Sequence, residues 1–153
     1  MDVRYINPFI EATMNVLKTM AFMTSKPGKP YIKKDPTATG DITGIIGLAG
    51  DKDGSLSITF TFPCIKAVLE KMLGEVHDEL NADVHDAVGE LTNMICGDAR
   101  NKLEAQNINL TAGIPTIITG ENHTITHVTK SAIVGLPFTT DFGTFSLEFA
   151  FVD

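Results

Sequence analysis

The chain has 153 residues, the length of one ordinary domain with a substantial buried core. Its 43% hydrophobic and 20% charged residues are typical of a globular protein, and no apolar run is long enough for a membrane helix. The net charge of −7 argues against nucleic-acid binding, which depends on clustered Lys and Arg. We therefore expect one domain over residues 1–153, with no nucleic-acid or membrane partner.

The start of the chain lacks a basic segment followed by an apolar one, so we predict no secretory signal. The two cysteines, Cys64 and Cys96, lie within apolar helical patterns and have no CxxC spacing. These observations predict a cytoplasmic protein with two buried, reduced thiols, and they disfavour thiol catalysis.

The first predicted element is an amphipathic helix. Asn7 and Pro8 are a favourable helix start, an Asn cap followed by Pro at the first helical position. Apolar residues then recur on one face as far as Met20. The basic cluster in 26–34 is interrupted by Pro and Gly, and it predicts a solvated loop with an edge strand.

A hairpin and a second helix come next. Segment 41–49 is rich in Ile, Leu and small residues, and segment 55–61 alternates polar and apolar residues as a half-buried strand does. The glycine-bounded turn between these segments predicts a hairpin. A helix is then expected from about Pro63, with Gly74 as its stop.

The longest predicted helix runs from about Asp83 to Ala105. Its apolar residues recur every three or four positions, which is the period of one buried helical face. These residues are Val84, Ala87, Val88, Leu91, Ile95, Ala99 and Leu103.

Extended segments complete the chain. Residues 108–118 predict an extended stretch around Pro115, and residues 124–128 predict a further strand. Segments 131–139 and 144–152 flank a turn and predict a closing hairpin, whose last strand has a strictly alternating apolar face. The predicted fold class is therefore α/β of the α+β type, with long helices packed on antiparallel hairpins.

The two halves of the chain carry a weak internal repeat. A helix leading toward a hairpin occurs at 7–61 and again at 83–153, and the motif at 44–48 is similar to that at 132–136. When the two helices are aligned, Met14 stands where the second helix has an asparagine.

Polar residues form a second face on the longest helix. Asp86, Glu90, Asn93 and Gly97 fall at i, i+4, i+7 and i+11. A carboxylate and a carboxamide one turn apart therefore project together, and the glycine beyond them allows another backbone to approach. This face is a candidate site for contact with a partner.

The four histidines are predicted to be surface residues: His77, His85, His123 and His127. His123 and His127 would lie on one face of a strand, but no third ligand is evident nearby. We therefore predict no metal site.

These patterns together resemble a known family. Asp86-x-x-x-Glu90-x-x-Asn93 is followed after 21 residues by Pro115, and the chain opens with the motif at 6–11. The combination resembles the CheX and CheC family of chemotaxis phosphatases, most closely CheX, over nearly all of the chain. The resemblance implies a CheC-like fold with a duplicated architecture and one site per chain.

The resemblance also implies a function. In this family the Glu and the Asn belong to the site that hydrolyses the aspartyl phosphate of the response regulator CheY, so these roles are carried to Glu90 and Asn93. Asp86, Gly97 and Pro115 are expected to contact the partner. The resemblance further implies a homodimer, a phosphorylated CheY-type partner and no cofactor of the chain's own, with Mg²⁺ in the partner receiver domain.

Two other functions fit the same patterns. One is a non-catalytic module that binds a receiver or a flagellar switch partner without hydrolysis. The other is a CheC-like adaptor for the deamidase CheD, against which the replacement of the first asparagine by Met14 argues mildly. Phosphate release from a phosphorylated receiver distinguishes catalysis from binding.

Overall fold

The computed structural model describes residues 3–121, 123–127 and 132–152. Within these residues an antiparallel sheet of eight strands is covered on one face by three helices. The helices are α1 (Val3–Ala21), α2 (Phe62–Leu73) and α3 (Ala82–Glu104). The strands are β1 (Lys26–Pro27), β2 (Tyr31–Lys33), β3 (Ile42–Gly50), β4 (Gly54–Phe60), β5 (Leu110–Ala112), β6 (Thr116–Thr119), β7 (Ile133–Thr140) and β8 (Gly143–Phe151). None of the described helices is long and apolar enough to cross a membrane.

The short strands of each half of the chain pair with the hairpin of the other half. β4 and β8 are central neighbours, and their hairpin partners β3 and β7 flank them. β1 and β2 of the first half pair with β7, whereas β5 and β6 of the second half pair with β3. Thr13 of α1 and Thr92 of α3 occupy equivalent buried positions, and each hydroxyl donates to the carbonyl four residues earlier at 2.7 Å. The predicted internal repeat is therefore present in the structure.

The core lies between the helices and the inner face of the sheet. In the central strand pair, Leu56 lies opposite Phe149 and Ile58 lies opposite Leu147, and all four side chains are buried. Phe9 of α1 packs its ring edge against Phe149, with 5.8 Å between ring centroids. The apolar residues that were predicted at every second position of β8 are therefore the side chains that face the core.

Most predicted elements agree with the structure. α2 ends at Gly74, which caps the helix in the left-handed conformation with φ of 70°. α3 begins after Asn81, whose side chain accepts a hydrogen bond from the Val84 amide at 3.1 Å. The closing hairpin is also confirmed, although residue 131 of its predicted first strand lies outside the described residues.

The predicted start of α1 is wrong. The helix begins at Val3, and Pro8 lies inside it. Tyr5 is buried, and its ring lies 5.5 Å from that of Phe151 between centroids. Because this packing stabilises an additional first turn, the Asn7–Pro8 pair does not mark the helix boundary.

The strand β4 is buried on both faces, which contradicts the predicted half-buried strand. Segment 123–127 covers the outer face, where Ser55 Oγ lies 2.6 Å from His127 Nδ1 and Thr43 Oγ1 lies 2.6 Å from His123 Nε2. The predicted strand at 124–128 is wrong for 124–127, where only an isolated bridge forms, and residue 128 lies outside the described residues. Hydrogen bonding to the polar strand face holds this segment instead of strand pairing.

A buried charged cluster lies on the same outer face. Lys33 Nζ pairs with Glu148 Oε2, and His127 Nε2 lies 3.1 Å from Glu148 Oε1. Burial raises the pKa of Glu148, but hydrogen bonds from His127 and Lys33 outweigh burial, so the pKa is lowered overall. The predictions of a solvated basic segment and of surface histidines are therefore wrong at Lys33, His127 and His123, and His77 is buried as well.

Candidate active site on helix α3

The structure places the predicted polar stripe on the outer side of α3. Asp86, Glu90 and Asn93 are exposed, and Gly97 is half-buried. The seven apolar residues predicted for the opposite face are all buried. Helical periodicity alone therefore separated the core face from the candidate site.

The helix is held close to the sheet at Gly44 of β3. A Cβ atom added at Gly44 would collide with Thr92 Oγ1 and would lie 3.3 Å from Val88 Cγ1. Thr92 is next to Asn93 in the chain. The close contact with Gly44 therefore fixes the distance between the sheet and the turn of α3 that carries Asn93. Sequence reasoning did not assign Gly44 or Thr92, although a glycine inside a strand is a known signal for close approach.

The side chains of Glu90 and Asn93 have no hydrogen-bond or ion-pair partner among the described residues. Both are exposed on a helix whose other face is embedded in the core. Asp86 adds a second exposed carboxylate one turn earlier. The arrangement offers carboxylates that can pair with a cation and a neutral carboxamide that can accept a hydrogen bond from water.

Neither cysteine can take part in chemistry at this site. Cys64 and Cys96 are buried and unpaired, as predicted. Burial raises the pKa of each thiol to about 11, and the nearby Arg100 lowers that of Cys96 only in part. Both thiols are therefore protonated near neutral pH and are poor nucleophiles.

Pro115 lies in the break between β5 and β6, which both pair with β3. Three residues, 113–115, oppose two residues of β3, 46–47, so the pairing is interrupted there. Proline suits this position because it has no N–H group to donate to the sheet. Its contact with a partner, like that of Asp86 and Gly97, stays a prediction.

A cluster near the start of α3 has the residue types of a metal site. Ligand atoms of Glu75, His77 and Asp83 lie within 4.8 Å of one another. The Asn81 side-chain oxygen Oδ1 accepts a hydrogen bond from the Val84 amide, which orients the side-chain amide so that its NH₂ group donates to His77 Nδ1 at 3.3 Å. His77 Nε2 then carries the proton and faces Glu75 Oε2 at 3.5 Å. A protonated nitrogen is not a metal ligand, so in this tautomer the cluster offers a metal only its two carboxylates, and His77 Nε2 has no hydrogen-bond partner among the described residues.

The fold is that of a CheC-like protein. A crystal structure of a CheC-like superfamily protein from Shewanella sp. PV-4 is 44% identical, covers 100% of both chains and has a TM-score of 0.93. The family model described as chemotaxis phosphatase CheX matches residues 42–139. The chain therefore belongs to the CheX family of chemotaxis phosphatases, as the sequence resemblance implied.

Two further relatives have names that state an activity or a partner. A Thermotoga maritima protein named CheY-P phosphatase CheX is 27% identical over 123 residues, which is 80% of this chain and 79% of that protein. The CheX-CheY-BeF3-Mg+2 complex from Borrelia burgdorferi contains a chain 27% identical to this one, with 97% and 98% coverage and a TM-score of 0.81.

Proposed function

We propose that this protein hydrolyses the aspartyl phosphate of a CheY-type response regulator, with Asn93 positioning the water and Glu90 aligning the receiver domain. The observation that carries the proposal is an exposed carboxylate and carboxamide one turn apart on α3, neither of which has a partner within the described part of the chain. The activity in the name of the Thermotoga maritima relative and the CheY partner in the Borrelia burgdorferi complex support it.

The chemistry requires little from the phosphatase. In the proposed step, the oxygen of one water molecule attacks phosphorus, and the bond between phosphorus and the aspartyl oxygen breaks with its electron pair left on the aspartate carboxylate. Both protons of the water leave with the inorganic phosphate. An aspartyl phosphate is a labile acyl phosphate, and the receiver supplies its own Mg²⁺ and lysine. A rate gain of about a hundredfold needs only about 2.7 kcal/mol of barrier reduction, which one well-positioned water can provide.

Asn93 suits the positioning of that water. Its carboxamide oxygen accepts a hydrogen bond from the water without adding negative charge beside the phosphoryl group, as the orienting glutamine of GTPases does. Glu90 is poorly suited to be a general base beside a dianionic phosphate. Its exposed carboxylate instead pairs with the lysine of the receiver and fixes the alignment of the two proteins.

Single substitutions test these separate roles. Asn93→Ala should slow phosphate release by about a hundredfold and leave receiver binding nearly unchanged, because the lost interaction acts mainly in the transition state. Glu90→Ala should weaken both binding and turnover. Asn15→Ala on α1 removes another exposed asparagine and serves as the matched control. Full phosphatase activity in a folded Asn93→Ala variant would show that the assigned mechanism is wrong.

We also propose that the protein is a homodimer joined partly through sheet edges. β2 lies on β7, and its Tyr31 and Ile32 are exposed by 37% and 58%. Apolar side chains on an exposed edge strand favour pairing with another chain. Light scattering over a concentration series should give twice the 16.5 kDa chain mass, and a monomer mass throughout would contradict the proposal.

We also propose that the protein acts in the cytoplasm, where Cys64 and Cys96 would stay reduced. Thiol titration under denaturing, non-reducing conditions should count both cysteines as free. A count of zero would contradict this compartment.

A further inference from the structure

Among the residues that the structure describes, none packs against the open side of Gly97. A Cβ atom added to it would meet no heavy atom within 4 Å, in contrast to the crowded Gly44. A glycine in the interior of a helix is destabilising relative to alanine. Gly97 therefore leaves an open notch on α3 that internal packing does not explain.

The notch lies on the stripe that carries the candidate site. Gly97 is one turn beyond Asn93, which is about 6 Å along the helix axis. The notch continues into a surface pocket of about 220 Å³. Besides Gly97, this pocket is lined by the last turn of α3 at Arg100, Asn101 and Glu104 and by residues 108–110.

Arg100 gives the pocket an oriented group of hydrogen-bond donors. Its Nε donates to the Leu110 carbonyl at 2.8 Å, which holds the planar guanidinium in place. In the part of the chain that the structure describes, its remaining N–H donors have no hydrogen-bond partner. A fixed guanidinium with free donors suits a carbonyl or carboxylate acceptor on a partner.

We propose that the notch at Gly97 and the Arg100 pocket are a second docking subsite for the phosphorylated receiver domain. This proposal rests on the proposed phosphatase function. A segment of the receiver lies across Gly97 and places a hydrogen-bond acceptor on Arg100. A specific protein interface buries about 800 Å² on each partner, far more than Glu90 and Asn93 alone can cover. The interface must therefore extend beyond that pair, and the notch adjoins it on the same helix.

Gly97→Gln tests the subsite, because it fills the notch with a polar side chain that favours helix. Ala105→Gln adds a side chain of the same type at an exposed position outside the pocket and is the matched control. The probe is each CheY-type regulator of the same organism, loaded with beryllofluoride and Mg²⁺ for binding and phosphorylated for turnover. Gly97→Gln should raise Kd about tenfold or more, as disruption of a buried interface contact does. Gly97→Ala should give a smaller increase in Kd, and Ala105→Gln should leave Kd unchanged.

The possible results separate this proposal from the proposed function. An unchanged Kd in folded Gly97→Gln would overturn the subsite and leave the phosphatase assignment to the Asn93→Ala test. If the native protein neither binds nor dephosphorylates any of these regulators, both proposals are overturned. If Gly97→Gln converts a native dimer to a 16.5 kDa monomer, the notch is a contact between copies of this chain and the subsite proposal is wrong.

Discussion

Replacing Lys33 by methionine should lower the free energy of unfolding by about 3 kcal/mol, because it leaves a buried carboxylate without its ammonium partner. The side chains of Lys33 and Glu148 are 6% and 1% exposed, so water cannot replace the lost ammonium group. Breaking such a pair typically costs about 3 to 5 kcal/mol. His127 Nε2, 3.1 Å from the other carboxylate oxygen, compensates in part and places the expected loss near the lower limit.

The exposed pair of Lys66 and Asp78 supplies a matched control. Its atoms lie 3.2 Å apart, but the side chains are 38% and 88% exposed. Surface ion pairs contribute about 0 to 1 kcal/mol, so Lys66→Met should have little effect. The same chemical substitution is thus tested in a buried and in a solvated pair.

Urea unfolding followed by far-UV circular dichroism measures both variants at one fixed protein concentration, since dimerisation would make stability depend on concentration. The expected difference between Lys33→Met and Lys66→Met is about 2 kcal/mol or more. Equal losses in the two variants would refute the conclusion that burial makes the Lys33 pair important for stability. Phosphate release by Lys33→Met should remain native, because Lys33 is not part of the stripe on α3.

Three further perturbations test the fold. The pKa of Glu148 is lowered in the folded chain, so its carboxylate stabilises the fold above the ordinary glutamate pKa of about 4.3, and this stabilisation is lost as pH falls through the lower folded value. Acid unfolding of Glu148→Gln should therefore depend less steeply on pH than that of the native protein. An unchanged slope would contradict the assignment. Leu91→Ala should lower the free energy of unfolding in urea by about 2 to 5 kcal/mol, whereas Asn93→Ala should lower it by less than about 0.5 kcal/mol. Similar losses in both variants would mean that the two faces of α3 are misassigned. Gly44→Ala should lower the free energy of unfolding by about 1 to 3 kcal/mol through overpacking. The loss should be smaller when Thr92 is also replaced by Ala. Full stability of Gly44→Ala would rule out the close contact between β3 and α3.

Sequence periodicity determined the elements whose signals are local. The spacing of apolar residues in α3 identified its buried face, and the alternation in β8 identified its core-facing side chains. The same spacing placed Glu90 and Asn93 together on the outer face, because two residues three positions apart on a helix must project in similar directions. The left-handed cap at Gly74 was also predictable, since glycine adopts that conformation without strain.

The tertiary structure alone decided features whose partners are distant in the chain. Lys33 and Glu148 are 115 residues apart, so no local pattern indicated that this basic segment would supply a buried cation. The cover over β4 depends on 123–127, and the additional turn of α1 depends on Phe151 near the other end of the chain. The close approach at Gly44 likewise depends on a helix that follows about forty residues later. In each case the free energy of burial or long-range hydrogen bonding outweighed a local preference of at most about 1 kcal/mol, and these long-range contacts can be seen only in the folded chain.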